Sequence, residues 1–164
     1  MESEVKEFLT AMLPKQVAAE RAIHNGEVEP RLALWSHRDP VTLFGATLAG
    51  SGWQQLSADF ATVASWFSGS QEYDFEVVAA GASGDLAYTV GYEHNVVTSG
   101  GELRTYTLRV THVYRREDGE WKIVHRHADV PPAGTATRSS SSPDTGLEDG
   151  SRSVGDDDDL DVGR

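Results

Sequence analysis

Residues 111–127 read Thr111-His112-Val113-Tyr114-Arg115-Arg116-Glu117-Asp118-Gly119-Glu120-Trp121-Lys122-Ile123-Val124-His125-Arg126-His127. Two runs of β-branched, aromatic and alternating polar residues flank Glu117-Asp118-Gly119. Asp-Gly between such runs is a strong hairpin signal. The first arm extends back to Leu103 and the second forward to Asp129. Further upstream, Leu86 to Val97 forms another strand-like run, ended by Ser99-Gly100-Gly101. Tyr73 to Ala80 forms a third, ended by Gly81-Ala82-Ser83-Gly84. The later part of the chain is thus a meander of long strands.

The earlier part is helical. Val5, Phe8, Leu9 and Met12 recur at helical spacing. Pro14 is expected to end that helix and open a second one, which Asn25-Gly26 stops. Pro30 opens a short helix over Arg31 to Trp35, and Asp39-Pro40 turns the chain into a brief strand, Val41 to Phe44. Trp53, Leu56, Phe60, Val63 and Phe67 then make one apolar stripe at spacings of 3, 4, 3 and 4. Helices followed by long strands predict an α+β domain, with helices on one face of an antiparallel sheet.

The chain has 164 residues, room for one domain, and a formal charge of −12. Residues 131–164 hold three basic and eight acidic side chains, a net of −5, which leaves −7 on residues 1–130. Both parts are acidic, which argues against a nucleic-acid partner, since neutralising phosphates needs basic surface. The sequence has no run of about 18 apolar residues that could span a membrane. Its N-terminus, Met1-Glu2-Ser3-Glu4, is acidic where a secretory signal would be basic. A soluble, cytoplasmic protein is expected. The absence of cysteine excludes disulfides and thiol nucleophiles. Residues 131–164, with Ser139 to Ser142 and Asp156 to Asp159, offer little apolar surface and are expected to be a disordered acidic tail behind a domain of residues 1–130.

The hairpin 111–127 resembles the C-terminal hairpin of SnoaL-like domains and that of the association domain of calcium/calmodulin-dependent protein kinase II. Leu86-Ala87-Tyr88-Thr89-Val90-Gly91-Tyr92-Glu93 is similar to the matching strand of ketosteroid isomerase. Trp35 to Gly45 resembles the segment after the second helix of SnoaL-like proteins. The likeness covers roughly residues 5–129 and implies the nuclear-transport-factor-2-like cone: a curved antiparallel sheet wrapped around N-terminal helices, with a pocket at the open end. It also implies a homodimer, often through the outer face of the sheet. The isomerase's catalytic aspartate has no counterpart, because the matching position lies near Phe44 or Gly45. Asp39 reads as a turn residue before Pro40. The isomerase's protonated aspartate would fall near Thr111 or His112.

The remaining candidates are polar groups of the strands. His125 and His127 share a face because strands have period two. A three-residue loop, Glu117-Asp118-Gly119, is the expected turn; it sets Thr111 opposite His125 and Arg109 opposite His127. One face then reads Arg109, Thr111, Val113 against Ile123, His125, His127, apolar at one end and polar at the other, as a pocket wall would be. The other face, with Leu108, Val110, His112, Tyr114, Val124, Arg126 and Ala128, is then a dimer surface. A two-residue loop, Asp118-Gly119, exchanges the faces. The association-domain resemblance favours that exchange, since its pocket arginines match His112 and Ala128.

His127 and His125 are the candidate catalytic residues, as acid–base groups positioned by Glu93 or Asp129. Structural histidines are the plainer alternative. A metal held by the His-x-His pair and Glu93 is conceivable, but the spacing is unspecific, so no metal is expected. The ligand-binding candidates are Trp35, Tyr88, Tyr92, Arg109, Thr111 and His112, with Arg109 offering a fork to a carboxylate or phosphate. The expected function is binding of a small organic ligand, anionic where Arg109 would grip it, with cofactor-free isomerase, cyclase or dehydratase chemistry. The alternative is a non-catalytic binding or oligomerisation module.

Overall fold

A computed structural model of the chain describes residues 2–134. Most of the acidic tail expected over 131–164 therefore lies outside the described residues. Helix α1 spans Glu2–Ile23 and α2 spans Glu29–Leu34; strands β1 (Thr42–Phe44) and β2 (Ala49–Ser51) precede helix α3 (Trp53–Ser65). Four strands follow, β3 (Gly69–Ser83), β4 (Leu86–Ser99), β5 (Glu102–Glu117) and β6 (Glu120–Asp129). One mixed sheet has the order β2-β1-β6-β5-β4-β3, antiparallel except where β1 runs parallel to β6. No helix among the described residues is long and apolar enough to cross a membrane.

Pro14 does not divide the first helix. Phe8, Met12, Gln16, Ala19 and Ile23 form one buried stripe on both sides of it, while Pro14 itself faces solvent. The carbonyl that loses its partner can be hydrated there, and packing of the continuous stripe outweighs the local cost. Helix α1 lies against β3. Helix α3 starts at Gly52, whose φ of 89° few other residues adopt, and Asp39 caps it from a distance: the Trp53 N–H donates to Oδ1 at 2.8 Å. Leu56 and Phe60 of α3 pack with Phe8, Met12, Val41, Leu43, Tyr114 and Ile123 in the core.

Bulges bend the sheet. β3 shifts register between Val77 and Ala79, opposite Gly91 of β4. There the Glu76 carbonyl would lie only 2.2 Å from any Cβ added at Gly91. The β5–β6 hairpin departs from both expected registers. Its turn is the two-residue Asp118-Gly119, with φ of 52° and 82°, the conformation of a type I′ turn, and Glu117 faces Glu120. The strands stay in that register to Tyr114↔Ile123. Val124 is then bulged out, so that Val113 faces His125, Thr111 faces His127 and Arg109 faces Asp129.

The bulge reverses the parity of β6 halfway along. Ile123, Arg126 and Ala128 point to the helices together with Val110, His112 and Tyr114, and all six are buried. His125 and His127 point away. The expected pocket face is therefore split, with Ile123 inside and the histidines outside. The face read as a dimer surface is instead the interior one.

Candidate functional site

A cavity of about 1260 Å³ opens between α1, α3 and the inner face of β3–β6, with Pro131 and Pro132 among its lining residues. Its apolar lining includes Ile23, Leu43, Val63, Phe67, Leu108 and Ala128. Polar groups lie on two rows of the sheet and on the facing side of α1. In one row Tyr73, Asn95 and Tyr106 stand opposite one another on β3, β4 and β5. In the next, Glu93 stands between Phe75 and Leu108. From α1 and the turn that follows it, Glu20 and His24 project one turn apart onto the same side.

These groups form a buried network. The Arg31 guanidinium donates to both Glu20 oxygens at 2.6 Å. Arg126 donates to Glu93 at 2.5 Å and to His112 Nε2 at 3.1 Å, and lies 3.9 Å from Glu20. The Tyr73 hydroxyl donates to the other Glu93 oxygen at 2.5 Å. Burial by itself would raise the Glu20 pKa, but Arg31 and Arg126 outweigh it and hold the carboxyl down at about 2. Burial opposes the charge on Arg126, yet Glu93 and Glu20 hold its pKa above the ordinary arginine value. His112, fully buried and beside Arg126, is pushed well below the ordinary histidine range, first by burial and then by that charge. It is therefore neutral and accepts from Arg126. Two carboxylates thus balance two guanidiniums at the base of the cavity.

His24 closes the network towards β5. Its Nδ1 is 2.6 Å from the Glu20 carbonyl and its Nε2 is 2.5 Å from the Tyr106 hydroxyl. A carbonyl only accepts, so Nδ1 carries the proton, Nε2 is the acceptor, and Tyr106 donates to it. Burial lowers the His24 pKa and Glu20 partly restores it, for a net decrease. Burial raises that of Tyr106.

None of the residues named from the sequence as catalytic or ligand-binding lines this cavity. Trp35 is 1% exposed and packs on Phe60 in the core, ring centroids 4.9 Å apart. His112 lies behind Arg126, within the network. Tyr88, Tyr92, Arg109, Thr111, His125 and His127 occupy the outer sheet face. Arg109 already spends its fork on Asp129, at 2.6 and 2.9 Å. His125 Nδ1 pairs with the Thr42 hydroxyl at 2.7 Å, and His127 is 3.7 Å from Asp129. Glu93, conceived as a partner of the histidine pair, points to the opposite side of the sheet. For the strand residues the cause is the side on which the helices pack: they cover the face of Val110, His112 and Tyr114, and the Val124 bulge keeps His125 and His127 with Thr111 on the other one.

The residues that do line the cavity left a faint trace in the sequence. Glu20 continues the buried stripe of α1 and His24 follows four residues later. On β4, Glu93 and Asn95 share the parity of Ala87, Thr89 and Val97, which are buried.

A family model described as a SnoaL-like domain matches residues 17–133, and the chain belongs to that family. Solved structures agree on the fold. A nuclear transport factor 2-like superfamily protein from Salmonella enterica superposes with a TM-score of 0.67 at 18% identity, covering 85% of this chain and 99% of that one. A protein from Thiobacillus denitrificans, described as a calcium/calmodulin-dependent protein kinase type II association domain, gives 0.63 at 19%, covering 74% and 96%. A protein from Streptomyces avermitilis, described as a dehydratase of the nuclear transport factor 2-like family, gives 0.61 at 19%, covering 78% and 99%. No curated protein matches the chain. The α+β cone expected from the sequence is the fold observed.

Proposed function

We propose that the cone binds a small, uncharged organic molecule, with its apolar body against Ile23, Val63, Phe67 and Leu108 and its polar end towards the Tyr73-Asn95-Tyr106 row. The observation that carries this reading is the charge balance of the cavity floor. Each buried guanidinium is already held by a buried carboxylate, so an anion reaching the cavity floor would have to displace Glu20 or Glu93; Arg21 lines the cavity from an exposed position away from that network. A neutral ligand needs no such exchange, and apolar walls with a few convergent polar groups favour it. Asn95 adds a specific demand: its Oδ1 is buried and has no hydrogen-bond partner among the described residues. Cofactor-free chemistry of the isomerase, cyclase or dehydratase class fits this reading. A dehydratase description of one structural relative points the same way.

The test is binding of 4-nitroanisole, a neutral aromatic probe, by calorimetry. Leu108→Trp places a bulky ring in the cavity from a half-buried position. Binding by the native protein, weakened at least about tenfold by Leu108→Trp with the circular dichroism spectrum unchanged, is the expected result. Equal affinity of the two proteins would place the probe elsewhere and overturn the reading. A homodimer through the outer sheet face belongs to the same proposal. Tyr88 and Phe44 are 45% and 52% exposed there, beside Val90 and Val113. Light scattering of the native chain and of Val113→Glu tests it, a monomer in both being the result that refutes it.

A further inference from the structure

Resting on that reading of the cone, we propose that Tyr106 and His24 form a proton-relay couple that accepts the proton of a hydroxyl group on the bound ligand. His24 is held in one tautomer by the Glu20 carbonyl, so its Nε2 lone pair faces the Tyr106 hydroxyl. Tyr106 spends its only proton on that bond. Towards the cavity its oxygen can then only accept. Asn95, directly opposite on β4, adds a second acceptor, Oδ1. On its other side Tyr73 cannot supply the missing donor, because its own proton goes to Glu93. Cross-strand neighbours stand about 5 Å apart, so one polar end of a ligand can meet both acceptors. The group they demand is a donor, and an O–H with an acidic proton makes use of the base behind Tyr106.

In the forward step the ligand O–H bond breaks and its proton joins Tyr106 Oη. The original Tyr106 proton passes to His24 Nε2, and the ligand oxygen keeps the electron pair. No oxidant or further reactant is needed. The imidazolium formed on His24 sits beside the Glu20 carboxylate, whose charge favours it, and the step reverses by the same path. Burial keeps the resting couple as neutral tyrosine and neutral imidazole, so the Nε2 lone pair stays available as the acceptor, while Glu20 offsets part of the burial cost of the imidazolium. Phe67, 4.6 Å from the His24 ring and stacked at 6.5 Å on Tyr106, shields the couple. Phenols and enols are the ligand class with both the donor and the required acidity.

The experiment compares 4-nitrophenol with its methyl ether, 4-nitroanisole, at a pH below the phenol's own pKa. The native protein should bind the phenol about tenfold more tightly than the ether, and the bound phenol should show the absorption band of its ionised form. Tyr106→Phe should lose both the preference and the band, binding phenol and ether with equal affinity. His24→Gln, which keeps an acceptor near Tyr106, should retain part of the preference and lose the band. Equal affinity of the native protein for the two probes, or a band that persists in both variants, would overturn the relay. So would preference without the band. Each of these leaves the cone reading intact, because the ether still binds; failure of the native protein to bind the ether overturns both.

Discussion

Arg126→Met removes the guanidinium that stands between Glu93, His112 and Glu20. Methionine keeps the aliphatic bulk, so the loss is one of charge and hydrogen bonds. Glu93 is 1% exposed and would keep Tyr73 as a donor but lose its counter-charge. Breaking a buried pair by deleting one partner costs about 3–5 kcal/mol, because the remaining charge is left uncompensated. For a domain of this size, that lowers Tm by roughly 10–20 °C. Adding Glu93→Gln removes the stranded charge and keeps an acceptor for Tyr73, so the double variant should recover at least about half of the loss. Arg109→Met is the control. Arg109 grips Asp129 with distances just as short, but the side chains are 46% and 39% exposed, and water screens the pair. Its unfolding midpoint should match that of the native protein. The assay is urea unfolding with linear extrapolation, repeated as a thermal melt. If Arg126→Met unfolds no earlier than Arg109→Met, or if the two losses at Arg126 and Glu93 simply add, burial of the network has no energetic consequence and the charge-balance argument is wrong.

Stability should fall in two stages on acidification. His24 and His112 have pKa values lowered on folding, so their neutral forms favour the folded state above about pH 6.5, and that contribution is lost as pH drops through their folded values. Glu20 follows: its folded pKa of about 2 lies below the ordinary glutamate value of 4.5, so its contribution is complete above about pH 4.5 and disappears as pH approaches about 2. Urea midpoints measured from neutral to acid pH should show both stages, and His112→Gln should flatten the first; a wild-type curve level down to pH 5 would contradict it. Gly91→Ala should destabilise the domain by about 1–3 kcal/mol, since the Glu76 carbonyl opposite is backbone and must move. A native-like unfolding midpoint for that variant would mean that the β3 bulge relaxes freely.

The sequence by itself determined most of the elements and their order, but not the unbroken α1 or the short strand β2. Glycine-bounded runs of strand residues, the stripe from Trp53 to Phe67, and the Asp118-Gly119 turn signal are local features, and local propensity with periodicity is enough to read them. Together they give an α+β domain with a meander of long strands, and the hairpin 111–127 carries the likeness to the SnoaL-like family. Pro14 misled because its effect was judged locally, whereas the buried stripe on both sides of it is a tertiary contact. Only the tertiary structure decided which side of each strand faces the helices. Along a strand the side-chain period is two, so a single bulged residue, Val124, moves His125 and His127 from one face to the other. The site followed the same rule. Glu20, His24, Glu93, Asn95, Tyr106 and Arg126 come from four elements and the turn after α1, and no spacing in the chain brings them together. The bend of the sheet and the face of α1 do so, because buried polar groups on facing elements must find one another as partners.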